Sequence, residues 1–241
     1  MKIIKAKNAE EVGVLAGDYI ANEINNKSDI VLGLATGSTP ISTYNHLVDL
    51  YNDKKVDFVN VKTVNLDEYI GLEPTNSQSY RYFMNDNLFG KVNIKPENTR
   101  VPSGISSDFE KECVDYENLI KDLGGVDLQL LGIGTNGHIG FNEPSDSFQK
   151  GTSVVDLTES TIESNKRFFD SMEDVPKQAI SMGIKTIMMA KKILLIATGS
   201  SKAEIMGKAV NGPITPNVPA SVLQLHRDVV IIVDEEAGKF I

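Results

Sequence analysis

His138 and Glu143 share the run Gly132-Ile133-Gly134-Thr135-Asn136-Gly137-His138-Ile139-Gly140-Phe141-Asn142-Glu143-Pro144, a turn with four glycines that carries one of the chain's three histidines. An imidazole beside a carboxylate is a proton-transfer device, because the acid fixes the ring tautomer and stabilises its charged form. Pro144 restricts Glu143 to extended backbone. A second pair of acids, Asp67-Glu68, ends the run Val64-Asn65-Leu66. Neighbours on an extended chain point to opposite faces, so the two acids take different roles, and one of them can line the same edge as His138 as a carboxylate base. Neither a His-x-His pattern nor a paired His/acid helix accompanies them, so a base is preferred to a metal ligand.

Two further turns offer anion chemistry. In Leu34-Ala35-Thr36-Gly37-Ser38-Thr39-Pro40, Pro40 suits the first turn of a helix and Ser38 or Thr39 suits its cap. Such a turn presents backbone N–H groups, hydroxyls and the positive end of a helix dipole, which reads as a phosphate seat or an ordinary capped turn. Neither the dinucleotide fingerprint nor the Walker pattern is present, and no cofactor or metal is expected. The letters Ala-Thr-Gly-Ser recur at Ala197-Thr198-Gly199-Ser200, followed by Ser201-Lys202. A lysine at a helix start opposes the dipole, so Lys202 is either a solvated surface cation or one that faces an anion. Arg167, ahead of Phe168-Phe169, is either packed or a phosphate clamp.

The elements that must position these residues alternate. Apolar runs predict buried strands over Ile30–Ala35, Val61–Leu66, Val126–Ile133, Lys192–Ala197 and Val229–Val233. Helical patterns fill Ala9–Asn25, Pro40–Asn52, Ser79–Asn87, Asp108–Leu123 and Lys202–Val210. This predicts an α/β fold: an open, mostly parallel, doubly wound sheet with helices on both faces, binding its ligand at the carboxyl edge. The stretch from Gly151 to Met189 is less regular. Ser181–Ala190 is a candidate helix, and Thr158–Pro176 is either a structural excursion or a cover over the site.

At 241 residues, one large domain is expected. The net charge of −9 argues against nucleic acid as a partner. The longest apolar run, Ile193–Ala197, is far too short to span a bilayer, and the start lacks the apolar core of a signal peptide. Cys113 is the single cysteine, which excludes an intrachain disulfide and suits a reducing cytoplasm.

With these residues assembled, the chain resembles the glucosamine-6-phosphate deaminase family, within the wider glucosamine/galactosamine-6-phosphate isomerase group. The likeness runs nearly end to end and rests on Leu32–Pro40, Asn65-Leu66-Asp67-Glu68-Tyr69-Ile70-Gly71-Leu72, Gly132–Pro144 and Ser221-Val222-Leu223-Gln224-Leu225-His226. The second and third motifs set it apart from the related 6-phosphogluconolactonases. The resemblance implies conversion of glucosamine 6-phosphate and water to fructose 6-phosphate and ammonia. It makes His138 the group that opens the ring, with Glu143 and Asn136 orienting it, and Asp67 the base at carbon 2. It places the phosphate on Thr36, Gly37, Ser38 and Thr39, with Arg167 and Lys202 as cations, and implies a lid around residues 152–182. It leaves open whether the protein is a monomer or a homo-oligomer.

The alternatives are a lactonase on the same scaffold, which needs no carbon-2 base, and a sugar-phosphate sensing module. The sensing module would need a DNA-binding helix pair, for which a strand pattern beginning by Ile30 leaves no room. Two departures from the family are visible. Some members have Asp where Asn136 stands, and an amide orients an imidazole without adding charge. Members activated by an N-acetylated sugar phosphate carry basic residues soon after Asn-Glu-Pro and a longer C-terminus; here the residues are Thr152-Ser153-Val154-Val155, and the chain stops at Ile241. Adding N-acetylglucosamine 6-phosphate is therefore expected to leave the affinity for glucosamine 6-phosphate unchanged in initial-rate titrations.

Overall fold

The computed structural model of the chain describes residues 1–166, 169 and 171–241. Its main sheet has seven strands, all paired in parallel: β1 (Lys2–Ala6), β2 (Val31–Leu34), β3 (Lys62–Asn65), β5 (Thr99–Arg100), β6 (Leu128–Leu131), β9 (Lys192–Ala197) and β10 (Val229–Asp234). The order across it is β1-β10-β9-β6-β2-β3-β5. The five expected strands form, trimmed by a residue or more at several ends, and β2, β6 and β10 are buried along their whole length. Buried runs of Val, Ile and Leu are what a sheet covered on both faces requires.

Helices α1 (Ala9–Asn26), α2 (Ile41–Asn52) and α3 (Tyr80–Asn87) cover one face, where Ile20, Leu47 and Met84 pack on Leu32, Leu130 and Ile232. The other face carries α4 (Phe109–Asp122), α6 (Ile184–Met188) and α7 (Ala203–Asn211), where Tyr116, Ile187 and Met206 meet Val64, Leu131 and Ile231. Asn8, Ser79 and Asp108 each cap their helix by accepting a backbone N–H three residues on.

The sequence reading missed a second sheet. Strand β4 (Asp67–Tyr69) pairs antiparallel with β8 (Gln178–Ser181), and β8 pairs antiparallel with β7 (Ser153–Asp156). Asp-Glu-Tyr has little strand propensity, and β7 alternates between half-buried and exposed residues, so neither carries a continuous apolar signal. The candidate helix over Ser181–Ala190 is corrected in part: Ser181 ends β8, Gly183 precedes the helix, and only Ile184–Met188 is helical. Strand β1 is also new. It lies at the sheet edge, is mostly exposed with two lysines among its five residues, and precedes the strand at Ile30 that the sequence reading took as first.

Glu68 ties the small sheet to α3. This buried carboxylate accepts backbone N–H groups from Tyr69 at 2.9 Å, Tyr80 at 2.8 Å and Arg81 at 2.9 Å, fastening β4 to the first turn of α3. Replacing Glu68 by Ala leaves three donors without an acceptor and should lower the unfolding free energy by about 2–3 kcal/mol. Urea unfolding followed by circular dichroism checks this; an unchanged midpoint contradicts the role given to Glu68.

Candidate active site

Strands β2 and β6 are neighbours, and their continuations leave the sheet on opposite faces, β2 into α2 and β6 toward α6. A crevice opens at such a switch point. Here it is a cavity of about 440 Å³, lined by the turn Ala35–Pro40, by Asp67, by residues of the loop Gly132–Phe141, and by Thr198, Ser201 and Lys202.

The turn after β2 is held by Tyr44, a fully buried residue of α2 whose hydroxyl donates to the Ala35 carbonyl at 2.5 Å. Gly37 sits at φ +94°, a left-handed conformation that favours glycine. The expected capping is corrected: Pro40 itself takes the cap position, and α2 has no side-chain cap. The turn Thr36–Thr39 and Pro40 border the cavity, ahead of a helix start that no side chain caps.

Asp67 and Glu68 take separate roles, as the extended backbone requires. Glu68 turns to α3, while Asp67, 6% exposed, lines the cavity. Among the described residues no hydrogen bond or ion pair reaches the Asp67 carboxyl. Burial, with the Glu68 charge adding to it, pushes its pKa up to about 8.

The His138 loop is closed by backbone bonds from Gly134 N to His138 O at 2.9 Å and from Gly137 N to Gly134 O at 3.0 Å. Gly134 lies under the imidazole: a Cβ there would sit 2.3 Å from the ring Cε1, so only glycine lets the ring lie down. Nδ1 of His138 is 3.4 Å from Glu143 Oε2, within ion-pair reach although not aligned as a hydrogen bond. Asn136 joins them, donating from Nδ2 to Glu143 Oε2 at 2.5 Å and accepting the His138 backbone N–H at 3.1 Å. Burial opposes the charge on Glu143. The nearby His138 and the donors Thr161 and Asn136 outweigh it and hold the pKa below the usual carboxylate value.

Helix α5 (Glu159–Asn165), between β7 and β8, brings Ser160, Thr161 and Asn165 to the cavity. The sequence reading missed these residues, together with Tyr80 and Phe141, whose rings stack with centroids 6.1 Å apart. A Thr-x-x-Thr start to a polar helix was the only signal for Thr161, and it identifies a cap, not a site. Lys202 ends a 3-10 turn at the head of α7 and lines the cavity. Its turn is fixed by Asp234, whose carboxylate accepts the Gly199 N–H at 2.9 Å, a contact with no local sequence signal. Arg167 lies outside the described residues. Asp67, Asn136, His138, Thr36, Gly37, Ser38, Thr39 and Lys202 all border the one cavity, and Glu143 stands behind His138. Among the described residues no group of three or more His, Cys, Asp or Glu side chains is arranged to hold a metal ion. Nor is any helix among them long and apolar enough to cross a membrane.

Such a site can bind an anion at one end, move a proton at oxygen with the imidazole, and move one at carbon with a carboxyl that titrates near neutrality. Comparison with known proteins agrees with this chemistry. The family described as glucosamine-6-phosphate isomerases/6-phosphogluconolactonase matches residues 5–232. A glucosamine-6-phosphate deaminase of Lachnoclostridium phytofermentans is 57% identical over 232 residues, 96% of this chain and 98% of that one. One of Clostridium perfringens is 52% identical over 241 residues, the whole of both chains. A solved monomeric glucosamine-6-phosphate deaminase superposes with a TM-score of 0.98 at 46% identity, over the whole of both chains. A 6-phosphogluconolactonase from Trypanosoma brucei, 17% identical with a TM-score of 0.78 over 99% of this chain and 97% of its own, shares the fold. The chain belongs to the glucosamine-6-phosphate isomerase/6-phosphogluconolactonase family.

Proposed function

We propose that the protein is a glucosamine-6-phosphate deaminase, converting glucosamine 6-phosphate and water to fructose 6-phosphate and ammonia. The observation that carries this reading is Asp67: a buried carboxyl, pushed up to about 8, in the same cavity as His138. A lactone hydrolase has no use for a base at carbon, and the relatives with more than half of their residues identical to this chain are deaminases by name.

The phosphate rests on the turn Thr36–Thr39, ahead of the start of α2, with Lys202 and Arg167 as cations. His138, oriented by Glu143 and Asn136, takes the proton of the anomeric hydroxyl and passes it to the ring oxygen as the bond between carbon 1 and that oxygen breaks, opening the pyranose to the aldehyde. Asp67 then removes the proton on carbon 2. The substrate's 2-ammonium group beside Asp67 favours the ionised carboxylate that this step needs, lowering a pKa that burial has raised. The resulting enolamine is protonated at carbon 1, and water hydrolyses the imine to release ammonia. Helix α5 and the segment around residues 152–182 act as the lid. The enzyme works in the cytoplasm, where the buried, free Cys113 stays reduced.

Wild-type protein should release ammonia from glucosamine 6-phosphate and wash deuterium from carbon 2. Asp67→Asn should do both more slowly by about 10²–10⁴-fold. A wild type that releases no ammonia but opens 6-phosphogluconolactone would move the protein to the hydrolase side of the family.

The same carboxyl sets a pH dependence of stability. Because its folded pKa lies above its unfolded one, Asp67 favours the folded state in acid. That contribution is lost as pH rises from about 4 through about 8. Asp67→Asn should therefore become progressively more stable than wild type over this window, by several kcal/mol in all, and the gap should level off above it. Urea midpoints measured from pH 4 to 9 test this; a gap independent of pH contradicts the raised pKa.

A further inference from the structure

The two oxygens of Glu143 are claimed by different parts of the fold. Oε2 belongs to its own loop, accepting from Asn136 and lying against Nδ1 of His138. Oε1 accepts the Thr161 hydroxyl, which comes from α5, the helix set between two strands of the small sheet. Thr161 is 4% exposed, and its hydroxyl also receives one from Thr158 at 3.2 Å. A hydroxyl has one proton to give. With Thr158 donating into the Thr161 oxygen, the Thr161 proton goes to Glu143. Thr158 is the cap of α5 and accepts the Thr161 backbone N–H at 3.4 Å, so the relay is built into the first turn of the helix.

We infer that Thr161 is a positioning residue for the proton transfer at oxygen: by occupying Glu143 Oε1 it stops the carboxylate plane from turning and keeps Oε2 on the His138 Nδ1 side. The inference rests on the proposed deaminase reading for its kinetic consequence, but its structural content does not. A carboxylate pinned at both oxygens holds Nδ1 as the protonated nitrogen and leaves Nε2 with the lone pair. Without the Thr161 donor, Oε1 has no protein partner among the described residues, the plane is free to rotate, and the ring loses its single tautomer. Placing the donor on α5 also means that the imidazole is fully set only when that helix is seated against the His138 loop.

Thr161→Val keeps the shape of the side chain and removes the donor, and Thr161→Ser restores the donor. Imidazole 15N spectra at neutral pH give one set of signals for each of the three histidines, with His138 assigned by its loss in His138→Gln. Wild type and Thr161→Ser should show His138 as the Nδ1-protonated tautomer, and Thr161→Val a mixture. In turnover, Thr161→Val should lower kcat about tenfold with KM within about twofold, because charge-assisted hydrogen bonds of this kind carry effects of that order. A helix that merely packs less well would raise KM and leave the tautomer unchanged. Thr161→Ala, read by the same spectra, serves if the valine variant does not fold. An unaltered tautomer together with an unaltered kcat in a folded Thr161 variant overturns the inference. If the wild type makes no ammonia, the deaminase reading falls, and the spectra still decide the role of Thr161.

Discussion

The crevice between β2 and β6 is the constraint on which the rest of the molecule depends. Parallel strands must be joined by right-handed crossovers, and the crossovers from these two neighbours run to opposite faces of the sheet. No connection then closes over the carboxyl ends of β2 and β6. Four parts of the cavity wall are delivered to that opening by segments leaving strands: the turn Thr36–Thr39 from β2, Asp67 from the end of β3, the His138 loop from β6, and Lys202 from β9.

At this opening, carboxylates of the same chemical type are given opposite environments. Asp67 is buried with no donor reaching it among the described residues, and its proton is held to near neutrality. Glu143, partly buried, is supplied by Asn136, Thr161 and the adjacent imidazole and stays ionised. The environment separates a group suited to exchanging a proton with carbon from one suited to holding an imidazole. Glu68, next in the chain to Asp67, is absorbed by three backbone donors into the joint between β4 and α3.

The small sheet β4-β8-β7 connects these roles. Asp67 pairs with Ser181 at one end of β4 and β8, and Ser181 Oγ accepts the Phe141 backbone N–H at 3.0 Å, so Asp67 and the His138 loop share a support. The same sheet holds both ends of the segment that carries α5. A shift of that helix is therefore transmitted to Glu143 through Thr161, and only indirectly to Asp67.

Much of this was legible in the sequence. The apolar runs of β2, β6, β9 and β10 are nearly continuous because both faces of the sheet are covered, and they alternate with helical patterns, so the doubly wound α/β architecture follows from local pattern alone. The chemical groups were legible too, since glycine-rich turns, an isolated His-Glu pair and adjacent acids at a strand end are local features. Three things were not. The small sheet pairs Asp67–Tyr69 with residues more than a hundred positions later, and antiparallel pairing of short polar strands leaves no periodic mark. The contacts of Thr161 with Glu143 and of Asp234 with Gly199 join a helix and a strand end to loops distant in the chain. Alternation fixes only that Asp67 and Glu68 point apart, so the choice of Asp67 for the cavity came from the family resemblance and not from local pattern. The sequence determined the chemical groups and the fold that gathers them, since both follow from residue type and local period. Only the tertiary structure decided which carboxyl is starved of donors and which is supplied with them, because that depends on groups brought together from distant parts of the chain.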